Sequence, residues 1–451
     1  MVEYDLLEVS VARLMVSISG VRGVYGDGLD DALAEKFAYA FGTLYTGSVV
    51  VGRDSRVSGP AIAKAVFSGL RKAGCDVIDL GLASTPTTEM AVTAKAASGG
   101  IIITASHNPG QWNGLKFLGP EGIFLDGTQA AEFIKEYEAL GDVSGLELSG
   151  DLSVWGAADS HHVDAVLALE YVDSALIKSK EFTVCLDTVN GAGGPIMTRI
   201  LESLGCKLHI MNADPSGIFT HNPEPTPAHL TDLCDFVREK KADIGIAVDP
   251  DVDRIALVDE NGVAISEEYS LAFVIDYMMA RKGCDAAVNL SSSRMSDDAA
   301  ARNGCTLKRS AIGEINVVVL MREINAGIGG EGNGGIILPD LHYGRDAILG
   351  AAMILQILSE KEKTVSELAA EFPNYAMIKE KAELGEGDWR DAVREEFKGD
   401  SMDEVDGIKV LFDDSWVHVR ESNTEPIVRL MAEAPDEAKA RGLIERVRAV
   451  L

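Results

Sequence analysis

Four stretches of this 451-residue chain hold residue types that could do chemistry together. The first, TASHNPGQWNGLK (104–116), follows a run of small and apolar residues. It sets Ser106 beside His107 in a loop broken by Pro109 and Gly110, with Lys116 ten residues on. A hydroxyl is a weak nucleophile until a base, a metal or a phosphoryl group changes it. Adjacent residues do not easily pair as nucleophile and base, and the G-x-S-x-G elbow of serine hydrolases is absent here. The plain alternative is that Ser106 and Asn108 cap the following turn.

The second stretch is VDPDVDR (248–254), with Asp249, Asp251 and Asp253 spaced by two. Alternate carboxylates on one short stretch can face a single point and hold a hard divalent cation such as Mg²⁺ through oxygen. An EF-hand is the rival, because Glu260 stands twelfth counting from Asp249. It fails twice: the sixth position is Arg254 where that loop needs glycine, and IALVDENG reads as strand rather than helix. Three carboxylates leave such a cation short of ligands, and a fourth, anionic oxygen from elsewhere would suit it.

The third stretch, GIGGEGNGG (327–335), contains G-x-G-x-x-G, but the dinucleotide fingerprint must open a helix and GGIILPD does not. Glycines that let backbone approach a ligand, with Glu331 and Asn333 projecting toward it, fit a clamp on sugar hydroxyls; a plain Gly-rich turn is the alternative. The fourth, RESNTEPIVR (420–429), has Arg420 and Arg429 flanking Ser422, Asn423 and Thr424. Guanidinium forks, hydroxyls and turn N–H groups make a phosphate cradle.

The first three stretches occupy matching places in a threefold pattern. VVVGRDSR, FTVCLDTVNGAGG and CDAAVNLSSSRM each begin a unit. A glycine-ended helical run follows (AIAKAVFSGLRKAG, PIMTRILESLG, SDDAAARNG), and then another apolar run. Glycine suits the left-handed position after a helix. In the first such helix Ile62, Val66 and Leu70 form an apolar stripe. A second helix-like stretch leads to a third strand, and the unusual loop comes after it. Strand–helix alternation predicts right-handed crossovers and a mostly parallel sheet. Ligands of such sheets sit beyond the carboxyl ends of the strands, so three facing repeats would bring the three loops to one cleft. From Thr364 onward the pattern changes to a small α+β domain. The expected organisation is therefore α/β: domain I over 1–150, II over 151–254, III over 255–363, and a smaller α+β domain IV over 364–451.

The formal net charge is −30. That argues against nucleic-acid or anionic-membrane partners, which need a basic footprint. It also requires that an anionic ligand meet local positive charge, which RESNTEPIVR would supply. Screening beyond about 8 Å makes such a patch feasible. No run of about 18 apolar residues exists to span a membrane. Six scattered cysteines lack metal or redox spacing. Four follow glycine just before an apolar run and read as buried thiols at strand starts in a reducing cytoplasm. The acidic N-terminus lacks the features of a signal peptide, and the residues before Met15 read as an extension or a misplaced start.

Taken together and in order, the four stretches resemble the α-D-phosphohexomutases, from SGVRG at 19–23 to the terminal helix. TASHNP is similar to that family's phosphoserine loop, DPDVDR to its metal loop, GEGNGG to its sugar loop and ESNTEPIVR to its phosphate loop. VGRDSR, NGLKF and IFTHNPEP add support. The resemblance implies that Ser106 carries a phosphoryl group that completes the metal site with Asp249, Asp251 and Asp253. It implies a small-molecule sugar phosphate as partner, Mg²⁺ as cofactor and a hexose 1,6-bisphosphate as intermediate and activator. Lys116 would be general base and acid, aided by His107 and Arg22, which would lower its pKa. Arg254 would lie near the phosphoserine. Glu331 and Asn333 would hold sugar hydroxyls. Arg420, Ser422, Asn423, Thr424 and Arg429 would hold the non-reacting phosphate. The enzyme would work as a monomer or homodimer.

Two departures bear on the substrate. Asn333 stands where glucose- and mannose-type enzymes commonly have serine, and AIGEIN (311–316) lacks the histidine of the phosphomannomutase/phosphoglucomutase group. Asparagine at position 333 is closer to N-acetylglucosamine-phosphate mutases and to an archaeal-like branch that includes both hexose and hexosamine enzymes. The whole chain most resembles bacterial phosphoglucosamine mutases. Glucosamine 6-phosphate is therefore the expected substrate, with a phosphomannomutase/phosphoglucomutase as runner-up. A Mg²⁺-dependent sugar phosphatase and a non-catalytic sugar-phosphate sensor are the readings from other classes.

Overall fold

The computed structural model describes residues 14–17, 20–384, 388–421 and 427–451. Each expected repeat is a sheet in which three parallel strands are followed by one antiparallel strand. In the first, Ser48–Arg53 lies between Asp76–Leu82 and Gly99–Ile103, and Trp112–Leu118 closes against Gly99–Ile103. In the second, Thr183–Asp187 lies between Lys207–Met211 and Ile244–Val248, with Ile255–Val258 antiparallel beyond. In the third, Ala286–Asn289 lies between Leu307–Ser310 and Ile328–Glu331, with Gly335–Ile337 antiparallel beyond. The strand order is the same in all three. Each chemical loop joins the third strand to the fourth, at the carboxyl end of the parallel set.

The local signals act as the sequence leads one to expect. Ile62, Val66 and Leu70 are fully buried, and each contributes about 1.5–3 kcal/mol. The glycines after the three helices, Gly74, Gly205 and Gly304, have φ of +87°, +78° and +64°. A fourth sheet is wholly antiparallel, in the order Ala376–Glu383, Ile427–Ala434, Trp416–Glu421, Ile408–Leu411, Ser401–Asp403. Helices Trp389–Glu396 and Glu437–Arg448 give it a core of its own.

The sheets depart from the expected borders. Leu152–Val154 joins the first sheet beyond residue 150, and Ile255–Val258 belongs to the second sheet, beyond 254. The second and third repeats share one hydrophobic core. Helix Ala347–Lys361 is buried on nearly every side within it, as its all-round apolar sequence requires. Val365, Leu368 and Phe372 pack into that same core and not under the fourth sheet. Among the described residues no helix is long and apolar enough to cross a membrane. The cysteines are free. Of the four that follow glycine only Cys75 is fully buried, while Cys206, Cys284 and Cys305 are half-buried.

Candidate active site

The three repeat loops and the fourth sheet meet at one cleft of about 320 Å³. Ser106 lies behind His107, which lines the cleft; it is 2% exposed, with φ +49°. That left-handed turn overturns the expectation about neighbours, because Ser106 Oγ is 3.3 Å from His107 Nδ1. It is also 3.2 Å from Asp249 Oδ2. The loop is held from behind by Arg56. Its Nη2 donates to the carbonyls of Ser106 and Asn108 at 2.6 Å each. Its Nη1 donates to those of Pro109 and Trp112 at 2.7 and 2.9 Å, and its Nε to Asp54 Oδ2 at 3.0 Å.

Asp249, Asp251 and Asp253 are fully buried, and one carboxylate oxygen from each lies within 4.8 Å of the other two. Each aspartate is anchored by one oxygen. Asp249 Oδ1 accepts from the backbone N–H groups of Asp253 and Arg254. Asp251 Oδ2 accepts from Thr85 Oγ1 and Lys116 Nζ, both at 2.8 Å. Asp253 Oδ2 accepts from Arg345 Nη2 at 2.5 Å. The buried Oδ1 atoms of Asp251 and Asp253 have no partner. Orphaned hard oxygens beside Asp249 Oδ2 and Ser106 Oγ fit Mg²⁺. Burial, then Asp253 and Asp251, raise the Asp249 pKa. Burial opposes ionisation of Asp251, but Lys116 and Thr85 outweigh it and hold that carboxyl well below the usual range.

The two proton-carrying candidates differ from expectation in an informative way. His107 is pushed well below the ordinary imidazole value, first by Arg254, then by burial and Arg22, so it is neutral at pH 7. Lys116 was expected to be lowered. Burial does act in that direction, but Asp251, and Asp253 at 3.6 Å, outweigh it and raise the ammonium. Arg22 Nη1 reaches Asn108 Oδ1 at 3.3 Å. Arg254 Nε stands 3.7 Å from Asp253 and 4.0 Å from Asp249 without a hydrogen bond, and its Nη1 is 3.5 Å from Glu224.

On the sugar-loop side, Glu331 is buried and fixed at both oxygens. Asn289 Nδ2 and the Gly313 N–H donate to Oε1 at 2.8 and 3.0 Å, and Arg345 Nη1 donates to Oε2 at 2.7 Å. A carboxylate keeps further lone pairs, so it can still accept from a ligand hydroxyl. Asn333 Oδ1 is buried with no partner. The glycines here serve protein contacts. Gly334 has φ +86°, and a Cβ on it would come within 2.3 Å of the Ile255 carbonyl. Arg420 and Arg429 line the far wall with Lys379; Ser422, Asn423 and Thr424 lie outside the described residues. Positive charge is therefore spread over the whole cleft through Arg22, Lys116, Arg254, Arg345, Lys379, Arg420 and Arg429, and is not confined to the fourth loop.

Sequence reasoning missed Arg345, Glu314 and Thr85, and quoted Arg56 without a role. No local signal marks Arg345, whose partners lie 14, 31 and 92 residues away.

The chain matches the phosphoglucomutase/phosphomannomutase family in four segments. These are alpha/beta/alpha domain I over 13–142, domain II over 160–262, domain III over 266–375 and the C-terminal domain over 357–450. A Thermococcus kodakarensis protein named phosphoglucomutase/phosphomannomutase is 39% identical over 447 residues, covering 94% of this chain and 96% of that one. A Methanopyrus kandleri protein named "Probable phosphoglucosamine mutase" is 35% identical over 439 residues, covering 94% and 95%. The solved structure of a phosphoglucomutase/phosphomannomutase family protein from Burkholderia thailandensis has a TM-score of 0.83 at 28% identity, covering 97% of this chain and 98% of that one. The chain belongs to the α-D-phosphohexomutase family and is an isomerase of that kind.

Proposed function

We propose that the enzyme moves a phosphoryl group between the 6- and 1-hydroxyls of glucosamine phosphate through phosphorylated Ser106 and a sugar bisphosphate. The observation that carries this reading is the place of Ser106 Oγ, 3.2 Å from Asp249 Oδ2 and 3.3 Å from Nδ1 of His107, which lines a cleft rich in arginine and lysine. A sugar hydroxyl attacks the phosphorus; the new O–P bond forms as the bond to Ser106 Oγ breaks. The hydroxyl proton passes to His107, or to Lys116 once its ammonium has given up a proton, and a proton is returned to Ser106 Oγ as that oxygen leaves. Reversal at the other end of the reoriented bisphosphate returns a phosphoryl group to Ser106.

Asp249, Asp251 and Asp253 would hold Mg²⁺, which supplies charge neutralisation at the transferring phosphoryl oxygens. Burial, Arg22 and Arg345 oppose the Lys116 charge, and Asp251 and Asp253 favour it, so a general-base role requires that the pull of those two carboxylates be weakened. Glu331 and Asn333 hold sugar hydroxyls, and Arg420 and Arg429 hold the non-reacting phosphate, together with Ser422, Asn423 and Thr424. Arg254 sits against the phosphoserine.

Glucosamine is supported by the unpartnered Asn333 Oδ1 and by Glu331, whose carboxyl burial would raise but Arg345 and Asn289 hold low. A 2-ammonium group gains there what a hydroxyl does not. Glucose or mannose phosphate is the second reading, favoured by the name of the Thermococcus relative.

The test is kcat/KM for glucosamine, glucose and mannose phosphates with Mg²⁺ and a hexose 1,6-bisphosphate primer, beside Ser106→Ala. Ser106→Ala should fold and lose nearly all turnover; full activity would sink the phosphoserine route. Preference for glucose or mannose would move the substrate to the second reading. Free phosphate without isomerisation would mean a phosphatase.

A further inference from the structure

Arg345 is buried, and its guanidinium is shared among three carboxylates from three segments. Nη2 donates to Asp253 of the metal loop at 2.5 Å, Nη1 to Glu331 of the sugar loop at 2.7 Å, and Nε to Glu314 Oε2 at 2.9 Å. Its backbone N–H donates to Glu314 Oε1 at 3.2 Å. Glu314 opens helix Glu314–Ile324, so the three carboxylates reach the site on separate elements.

We propose that Arg345 is a positioning residue that makes the metal loop and the sugar loop one unit, so that the cation and the sugar phosphate bind cooperatively. This rests on the mutase reading of the same cleft. The guanidinium occupies Asp253 Oδ2 and leaves Oδ1, buried and without a hydrogen bond though 3.7 Å from Arg254 Nε, as the oxygen offered to a cation. The same plane occupies Glu331 Oε2 and so sets the carboxylate that faces the sugar. Among the described residues the three carboxylates share this one guanidinium through hydrogen bonds; Lys116 Nζ at 3.6 Å and Arg254 Nε at 3.7 Å from Asp253 are the further cations near them. A cation at the aspartates relieves that surplus and frees Arg345 to bind Glu331 more closely; hydroxyls donating to Glu331 free it toward Asp253. Each ligand therefore improves the site for the other, and such coupling is reciprocal.

The clamp is set before any ligand arrives. The next residue, Asp346, caps helix Ala347–Lys361 through the N–H groups of Ile348 and Leu349. Its other oxygen accepts from His162 Nε2 at 2.8 Å. A Cβ on Gly335 would lie 2.3 Å from Arg345 Cδ, so glycine there makes room for the arginine stem. Lysine keeps the charge but is a point donor, and cannot span three carboxylates as a planar fork does.

The test is isothermal titration of Mg²⁺ with and without glucosamine 6-phosphate or glucose 6-phosphate, on the native enzyme and Arg345→Lys. The native enzyme should bind Mg²⁺ about five-fold or more tightly when the sugar phosphate is present. In Arg345→Lys the ratio should fall to near one, with a melting temperature close to native. A native ratio near one, or a folded Arg345→Lys that keeps the native ratio, would overturn the proposal. If Arg345→Lys does not fold, Glu314→Gln decides. It removes one carboxylate while keeping Arg345, and should change the ratio; an unchanged ratio overturns the proposal. A native enzyme that binds neither sugar phosphate would overturn both this and the mutase reading, a result distinct from the others.

Discussion

Arg420 and Arg429 stand directly opposite each other on neighbouring antiparallel strands of the fourth sheet. Like charges in that register cost stability, about 0.2–1 kcal/mol. Asp406 offsets part of it, 3.3 Å from Arg420 Nε. Both arginines line the cleft, so the repulsion is spent where an anion would remove it. Arg429→Gln should therefore leave the ligand-free melting temperature unchanged or slightly higher, while KM for the hexose phosphate rises about ten-fold or more. Calorimetric scans beside steady-state kinetics check both halves. A native KM would mean that the pair does not hold phosphate.

Thr85 ties the first repeat to the metal loop of the second. Its hydroxyl donates to Asp251 Oδ2 at 2.8 Å, and its N–H donates to the Asp251 carbonyl at 2.9 Å. It also begins helix Thr85–Ala94, whose N-terminal dipole favours the carboxylate. Thr85→Val keeps the shape and removes one bond to a charged acceptor, worth about 1.5 kcal/mol. The Mg²⁺ concentration for half-maximal activity should rise about ten-fold. KM for the sugar measured at saturating Mg²⁺ should stay near native. An unchanged Mg²⁺ requirement would show that Asp251 is oriented without Thr85.

Much of this arrangement is legible in the sequence, for a physical reason. The loop residues Ser106, Asp249, Asp251, Asp253, Glu331 and Asn333 follow strands whose glycine-ended helices announce a repeat, and a repeat places its loops alike. What escapes is whatever depends on partners far along the chain. Thr85 meets Asp251 across 166 residues and Arg56 meets Ser106 across 50. The direction of the Lys116 shift was misjudged because Arg22 and His107 are visible as motif neighbours, whereas Asp251 reaches Lys116 only through the fold. The border at 254 was misplaced because the antiparallel return of Ile255–Val258 reads the same whichever sheet it joins.

His342 lies in a buried cluster joining the first and third repeats. Its Nε2 is 3.2 Å from Asp346 Oδ2, and its Nδ1 is 3.4 Å from Glu89 Oε2. Burial opposes its charge, but the hydrogen bond to Asp346, then the contact with Glu89 and the Asp346 charge, outweigh it and lift it to about 10. A folded-state value above the unfolded value of about 6.5 means that this stabilisation is complete below pH 6.5 and is lost as pH rises through about 10. Burial and Glu314 raise Glu89 to about 8, so ionising it also weakens the fold as pH rises. The melting temperature should fall between pH 6.5 and pH 10. His342→Gln should cost about 3 kcal/mol at pH 6.5 and flatten that slope. Parallel slopes for variant and native would remove His342 from the explanation.

Arg56 makes the sharpest case for a residue that touches no substrate yet sets the chemistry. It is fully buried, and among the described residues its only charged hydrogen-bond partner is Asp54, while its guanidinium's four other bonds go to carbonyls of the Ser106 loop and Trp112. Those bonds hold Ser106 in a left-handed conformation with φ +49°, which a residue other than glycine adopts only when its surroundings compel it. Arg56→Ala leaves Asp54 buried without its counter-charge and should cost about 3–5 kcal/mol in denaturant unfolding. Arg56→Lys restores the charge but reaches fewer carbonyls, so the loop can relax. A displacement of Ser106 Oγ by about 1 Å would lower kcat roughly 100-fold, with KM nearly unchanged because Arg420 and Arg429 are untouched. Native kcat in Arg56→Lys would show that the Ser106 turn is held without Arg56, by Thr104 Oγ1, which accepts from the Ser106 N–H at 2.9 Å, and by Asp249.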